Sequence, residues 1–246
     1  MSVPEFLQDG AVYGEESPSL EVDRLMVRTS TLREKFLQLS SAQVSMTVES
    51  QRKMAKVNID AAKIEQELAV WPSALHSDWR FAKGQLIFKA SVEEPDLPNI
   101  DFADQYTSHA HAAIWLRYRA VRVIVNSIYL RTSETWAELP IEDLRAQAGS
   151  YVTISAMADG ICKGTPFFFS QEKIEYDMAT EDRLQAQFQI LPKRAWLIAW
   201  ILTIAVSTGA VPVAQREWLK HRLTVAARSL GDSALESVAK HSDFRF

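Results

Sequence analysis

From Val22 to Trp71 the apolar residues step by three and four, and that spacing constrains the fold more firmly than any other feature of the chain. Val22, Leu25, Met26, Thr29, Leu32, Phe36 and Leu39 fall on one face of a helix. Met54, Val57, Ala61, Ile64, Leu68 and Trp71 repeat the pattern. A Ser/Gln-rich patch over 40–50 separates the two series, which leaves two long helices or one bent one. Pro72 is expected to end the second, because proline disfavours helix in the residue before it. Only 8 glycines occur in 246 residues. So few leave little room for tight turns and hairpins, which again favours helices.

The rest of the chain reads the same way, with one exception. Residues 79–100 mix β-branched and aromatic side chains with Gly84, Pro95 and Pro98, and admit a short ribbon or an extended crossing. A helix is expected from Phe102 or Asp104 to about Arg131. Another starts behind Pro140, with Glu142 and Asp143 at the positive end of its dipole. It carries Leu144, Ala148, Tyr151, Ile154, Ser155, Ala158 and Ile161 and stops at Gly164 and Pro166. Residues 171–186 read as a polar surface loop with a helical turn. Ala195–Ser207 is apolar all round and reads as a central helix. Its apolar run, Ala195 to Val206, is 12 residues long, against roughly 20 for a membrane span. Pro212 and Gly231 bracket a helix over 213–230, and a short one follows over 233–241. The expected architecture is all-α: a single domain of seven to nine helices over 20–246, with a ribbon or extended piece near 79–100. Residues 1–19, with Pro4, Gly10, Gly14 and Pro18, read as a flexible arm.

Composition excludes several function classes. With 27 basic and 31 acidic residues the net charge is -4, so no global positive field draws the chain to nucleic acid or to an anionic membrane. Cys162 is the single cysteine. It permits no intrachain disulfide and no cysteine-based zinc module, and reads as a small buried hydrophobe. The first residues lack the basic start and apolar run of a signal peptide. Gly160 and Gly164 lack the rest of a phosphate-loop pattern, and no Gly-x-Ser-x-Gly elbow or aspartate-rich metal motif is present. No cofactor and no metal are expected.

The segment from His109 to Arg131 carries the densest chemistry. Trp115 and Tyr118 stand among arginines at 117, 119 and 122. Trp115, Arg119 and Arg122 share a helix face, and Tyr118 and Arg122 are i, i+4 neighbours. Two uses are open. The guanidinium groups can cap carbonyls or pair with acids such as Asp159. Alternatively they line a pocket, where an arginine holds an enol, carbonyl or carboxylate and an indole stacks on the ligand. His109 and His111, at i, i+2, do not face each other, so one metal cannot easily take both; either could donate a proton at a pocket mouth. Phe167, Phe168, Trp196 and Trp200 read as core or as the wall of a hydrophobic pocket. His76 and Asp78 form a local hydrogen bond or an acid/base dyad.

The order of motifs resembles a known family. WPSALHSDW is followed by AIWLRYRAVR, ADGICKGTPFFF, an apolar helix and REWLKHRLTVAARSLG. This resembles the C-terminal regulatory region of fungal binuclear zinc-cluster transcription factors. That region typically has a tryptophan-x-x-tyrosine-arginine-x-x-arginine segment, here Trp115, Tyr118, Arg119 and Arg122. An isoleucine-cysteine stretch then runs into proline and an aromatic, here Ile161, Cys162, Pro166 and Phe167. A tryptophan-led helix comes last, here Trp218, Arg222, Leu223 and Gly231. The resemblance spans roughly residues 60–240. It departs at Leu116, where a polar residue is usual, and at Gly160, where an acidic one is common. The family binds DNA through an N-terminal module with six cysteines, which this sequence does not contain. The resemblance therefore implies the helical fold and not DNA binding.

Two functions are expected from different classes. The first is a stand-alone helical domain that binds a hydrophobic metabolite in an internal pocket and catalyses a cofactor-free, metal-free cyclisation, isomerisation or pericyclic step. Such reactions gain mainly from orientation and electrostatics. Arg119 and Tyr118 would polarise the substrate, and His109 or His111 would donate a proton. Trp115, Arg122, Phe167, Phe168, Trp196 and Trp200 would hold the ligand. The alternative is a non-catalytic regulatory or dimerisation module, pairing with itself or with a related regulator. Neither needs a membrane or direct contact with nucleic acid. The expected compartment is cytoplasmic, or nuclear if the chain is regulatory.

Overall fold

The computed structural model describes residues 17–41, 47–85, 102–133, 141–169 and 190–241. Among these are seven α-helices and one two-stranded antiparallel ribbon, so the chain is all-α. The helices are α1 (Ser17–Ser41), α2 (Val48–Ala74), α3 (His109–Ser133), α4 (Ile141–Gly164), α5 (Pro192–Ser207), α6 (Val213–Leu230) and α7 (Ser233–Lys240). The strands are β1 (Ala82–Gln85) and β2 (Phe102–Gln105). Two 3-10 turns, Ser77–Trp79 and Thr165–Phe168, adjoin α2 and α4. No described helix is long and apolar enough to cross a membrane. The expected arm lies outside the described residues up to 16, and so does the expected loop over 171–186.

The chain divides into two compact units, one of residues 1–78 and 121–156, the other of residues 79–120 and 157–246. Both boundaries that follow the ribbon fall inside helices, α3 and α4.

In the first unit α1 and α2 are separate helices that pack on each other. Thr47 caps α2 by accepting the Ser50 amide at 3.1 Å, satisfying one of the donors a helix start leaves open. The six apolar positions read at helical spacing in α2 are all buried, from Met54 to Trp71. On α1, Val22, Leu25, Thr29, Leu32 and Phe36 are buried as well. Pro72 does not end α2 at Trp71: the helix continues to Ala74 with the proline inside its last turn. A proline there costs its own missing N–H bond, and too little helix remains beyond it for more bonds to be lost. The Asn58 amide donates to Thr132 Oγ1 at 2.8 Å and Ser133 Oγ at 3.2 Å, tying α2 to the last turn of α3.

The second unit holds the ribbon, the start of α3, the end of α4, and α5 to α7. Ala82 pairs with Gln105 and Gln85 with Phe102. The expected helix start at Phe102 or Asp104 is thus a strand, and α3 begins only at His109. Alternation explains this: Asp104 and Tyr106 are buried while Gln105 between them is exposed, a period of two and not of 3.6. Helix α5 packs on α6 and α7. Gly231 ends α6 with φ at 67°, the left-handed conformation that glycine adopts without a Cβ penalty. The amides of Gly231 and Asp232 close that end on the carbonyls of Arg228 (3.1 Å) and Ala227 (3.0 Å).

Helix α5 is not central on all sides. Ala195, Ile198, Ala199, Ile201, Leu202 and Ile204 are buried, but Trp196, Leu197 and Trp200 are exposed. Its uniformly apolar sequence carries no period that could tell the two faces apart.

Candidate functional site

Arg119 is a buried charge in the second unit, and its surroundings explain why a helix core keeps it. Strand β2 and the residue after its end carry Asp104 and Tyr106 on one side of the chain, two positions apart. Both side chains reach Arg119 on α3. Arg119 Nη2 donates to Asp104 Oδ2 at 2.7 Å, and Nη1 donates to Tyr106 Oη at 2.9 Å. The Tyr106 hydroxyl donates in turn to Asp104 Oδ2 at 3.0 Å. Burial pushes the Tyr106 phenol well above its usual range, with Arg119 opposing and Asp104 adding to the effect. The ring therefore stays protonated and keeps its donor for Asp104.

The end of α4 completes the enclosure. Arg119 Nη1 donates to the Gly160 carbonyl at 2.6 Å. A Cβ on Gly160 would lie 2.7 Å from Arg119 Nε, and one on Gly164 would lie 2.6 Å from Leu116 Cδ2 and 2.9 Å from the Tyr106 hydroxyl. Glycine at these two positions, one helical turn apart, lets the guanidinium layer rest on bare backbone. Aromatic rings close the remaining sides. The Arg119 guanidinium carbon is 5.0 Å from the Phe81 ring centre and 5.8 Å from that of Trp115. Phe81 meets Trp115 edge-on at 4.9 Å, and Tyr118, itself buried, meets Trp115 edge-on at 5.8 Å. The Trp115 indole N–H donates to the Trp79 carbonyl at 2.7 Å.

Arg122, one turn further along α3, lies in the first unit. It forms an ion pair with Glu65 of α2, with Nε 3.1 Å from Oε1, and Asn126 Nδ2 donates to the same carboxylate at 2.8 Å. Asp159, a sequence candidate for an arginine partner, pairs instead with Lys163 at 2.6 Å. Of the residues singled out in the sequence, Trp115, Tyr118 and Arg119 are gathered in one buried layer, while Arg122 serves a separate ion pair.

The histidines diverge. His109 sits beside Phe167 and Phe168, with ring centres at 5.0 and 5.6 Å. Burial lowers its imidazole from the usual 6.5, Arg194 and Lys193 add to the effect, and a hydrogen bond with the Phe167 backbone opposes it. His111 faces the other way. Its ring lies 4.3 Å from Trp79, and Nδ1 is hydrogen-bonded to the Thr107 hydroxyl. His76 and Asp78 form an exposed local pair at 3.1 Å. Burial pushes the Cys162 thiol far above its usual range, which keeps it from acting as a nucleophile. Among the described residues no three His, Cys, Asp or Glu side chains could hold a metal ion together.

Trp196 and Trp200 lie on the outward face of α5, 73% and 38% exposed, with Leu197 at 39%. A concavity of about 570 Å³ lies against α1, beside Ser30, Arg33, Leu37 and Gln38, and holds none of the residues singled out in the sequence.

Several residues that define these arrangements are not singled out by the sequence pattern. Asp104, Tyr106 and Phe81 come from a segment whose strands are only four residues each. Gly160 and Gly164 carried a signal, because two glycines one turn apart inside a helix pattern indicate close approach of another group. Glu65 stands among the polar positions of α2, where helical spacing assigns a face but no partner.

No family model matches the chain, and neither a curated protein nor a solved structure matches it.

Proposed function

We propose that the chain is a non-catalytic helical contact module of the regulatory kind, acting through the exposed face of α5. The observation that carries this reading is Trp196. An indole left 73% exposed beside Leu197 and Trp200, on a helix whose aliphatic residues from Ile198 onward are buried, is what an interface anchor looks like before its partner arrives. The resemblance to fungal regulatory regions supports the same reading. The arginines support it indirectly. Arg119 and Arg122 already hold the carboxylates of Asp104 and Glu65, so a ligand using either would have to displace a protein partner. The test compares affinity capture from the native cell by the wild-type chain and by a Trp196→Ala/Trp200→Ala double variant of matched melting temperature. A defined partner lost with the two indoles is the expected result. Identical captured sets from both chains would overturn the reading.

The second reading, a cofactor-independent cyclase or isomerase acting on a hydrophobic metabolite, has one observation in its favour. His109 is half-buried against Phe167 and Phe168, with its imidazole biased towards the neutral form. A neutral imidazole on an aromatic wall can take up and return a proton. Turnover of a metabolite that is lost in His109→Ala with folding intact would favour this reading over the first.

A further inference from the structure

Charge distinguishes among the partners that could cover α5. Lys193, Trp196, Leu197 and Trp200 are spaced i, i+3, i+4 and i+7, one stripe of the helix, and all four are exposed. The helix sequence, PKRAWLIAWILTIAVS, contains the cations Lys193 and Arg194 and no carboxylate. The chain as a whole has a net charge of -4, whereas α5 itself contributes two cations and no acid. His109 registers the same field, since Arg194 and Lys193 both push its imidazole down.

The extent of the face narrows the choice further. Beyond Trp200, Ile201, Leu202, Ile204, Ala205 and Val206 are all buried. Only the first turns of α5 are open, which gives a compact patch with two indole anchors. A helix lying on a lipid surface needs an apolar face along its length, whereas two neighbouring indoles suit pockets on a protein. A second copy of the chain would present this same face, whose helix carries no carboxylate to pair with Lys193.

Resting on the contact reading above, we propose that this face receives an acidic amphipathic helix of another protein. Its apolar residues cover Trp196 and Trp200, and an aspartate or glutamate on its flank pairs with Lys193. The apolar contacts supply most of the affinity, and the ion pair at the rim sets the choice of partner and its salt dependence.

The test uses the full chain and two synthetic amphipathic peptides with the same leucine and phenylalanine pattern, one flanked by glutamates and the other by lysines. Binding is read by fluorescence anisotropy at low and at about 150 mM salt. The acidic peptide is expected to bind about tenfold more tightly than the basic one, with the difference shrinking as salt rises. Lys193→Glu, a change at an exposed side chain, should remove or invert that preference, and Trp196→Ala should weaken both peptides. Equal binding of the two peptides, an unchanged preference in Lys193→Glu, or no binding of either overturns the acidic partner. Trp196-dependent binding to phosphatidylcholine/phosphatidylserine vesicles without peptide binding, or a Trp196-dependent homodimer in sedimentation, overturns it too. The contact reading itself fails separately, if Trp196→Ala binds every probe as the wild type does.

Discussion

Arg119 Nη2 lies 2.7 Å from Asp104 Oδ2, and the two side chains are only 7% and 5% exposed. A charge pair so enclosed joins the ribbon to α3 and sets the cost of changing either member. Asp104→Ala strands the buried guanidinium without its counter-charge, which is expected to cost about 3–5 kcal/mol of folding stability. Replacing both partners with apolar residues, Asp104→Leu with Arg119→Met, should recover most of that loss, because no unpaired charge remains. Urea denaturation of Asp104→Leu, Arg119→Met and the double variant checks this. If the losses simply add in the double variant, the pair is not coupled.

Gly160 and Gly149 sit on the same helix in opposite surroundings. A Cβ at Gly160 would press on Arg119 Nε at 2.7 Å, whereas one at Gly149 meets nothing within 4 Å. Gly160→Ala must move a guanidinium held by three partners, and should cost roughly 1–3 kcal/mol. Gly149→Ala only restricts the unfolded chain and raises helix propensity, and should gain about 0.5–1 kcal/mol. Thermal melts of opposite sign for the two substitutions are the expected readout.

How much of this could be read beforehand depends on the period of each segment. The apolar positions of α2 were legible one by one, because a helix with one wet face writes its burial into a 3.6 spacing. Pro212 and Gly231 marked α6 for the same kind of reason, since each has a backbone conformation that suits one end of a helix. The ribbon was legible only in part. Its two strands of four residues are too short to outweigh a neighbouring helix pattern, which is why the sequence points to a helix start at Phe102 or Asp104. The arginines announced that acids must lie near them, but which acids is a matter of tertiary packing. Asp104 and Glu65, 15 and 57 positions away from Arg119 and Arg122, could not be chosen from spacing. Helix α5 hid its outward face because it is apolar on every side, and only the surrounding helices decide which residues stay wet.

Trp196 and Ile198, two positions apart on α5, should separate contact from core. Ile198 is fully buried and Trp196 is 73% exposed. Ile198→Ala is expected to cost about 2–5 kcal/mol, the usual range for emptying a packed site. Trp196→Ala, although it removes the larger side chain, should stay within about 0.5 kcal/mol of wild type. Guanidinium denaturation measures both. A large loss in Trp196→Ala would assign the indole to the core and remove the contact face.

His109 supplies the pH dependence. Burial first, then the charges of Arg194 and Lys193, lower its imidazole from the usual 6.5 in the folded chain. The unfolded chain therefore takes up this proton more readily than the folded one, and stability rises with pH through the interval between the two values. The contribution is fully present above the unfolded value of about 6.5 and is lost as the pH falls through the lower, folded one. Arg194→Gln should raise the His109 value part of the way back, because it removes the second cause and leaves burial in place. Histidine ring-proton NMR over a pH series in wild type and Arg194→Gln reads this directly. A His109 titration at or above the ordinary imidazole value in the wild type would mean that neither the enclosure by Phe167 and Phe168 nor the positive start of α5 acts on this ring.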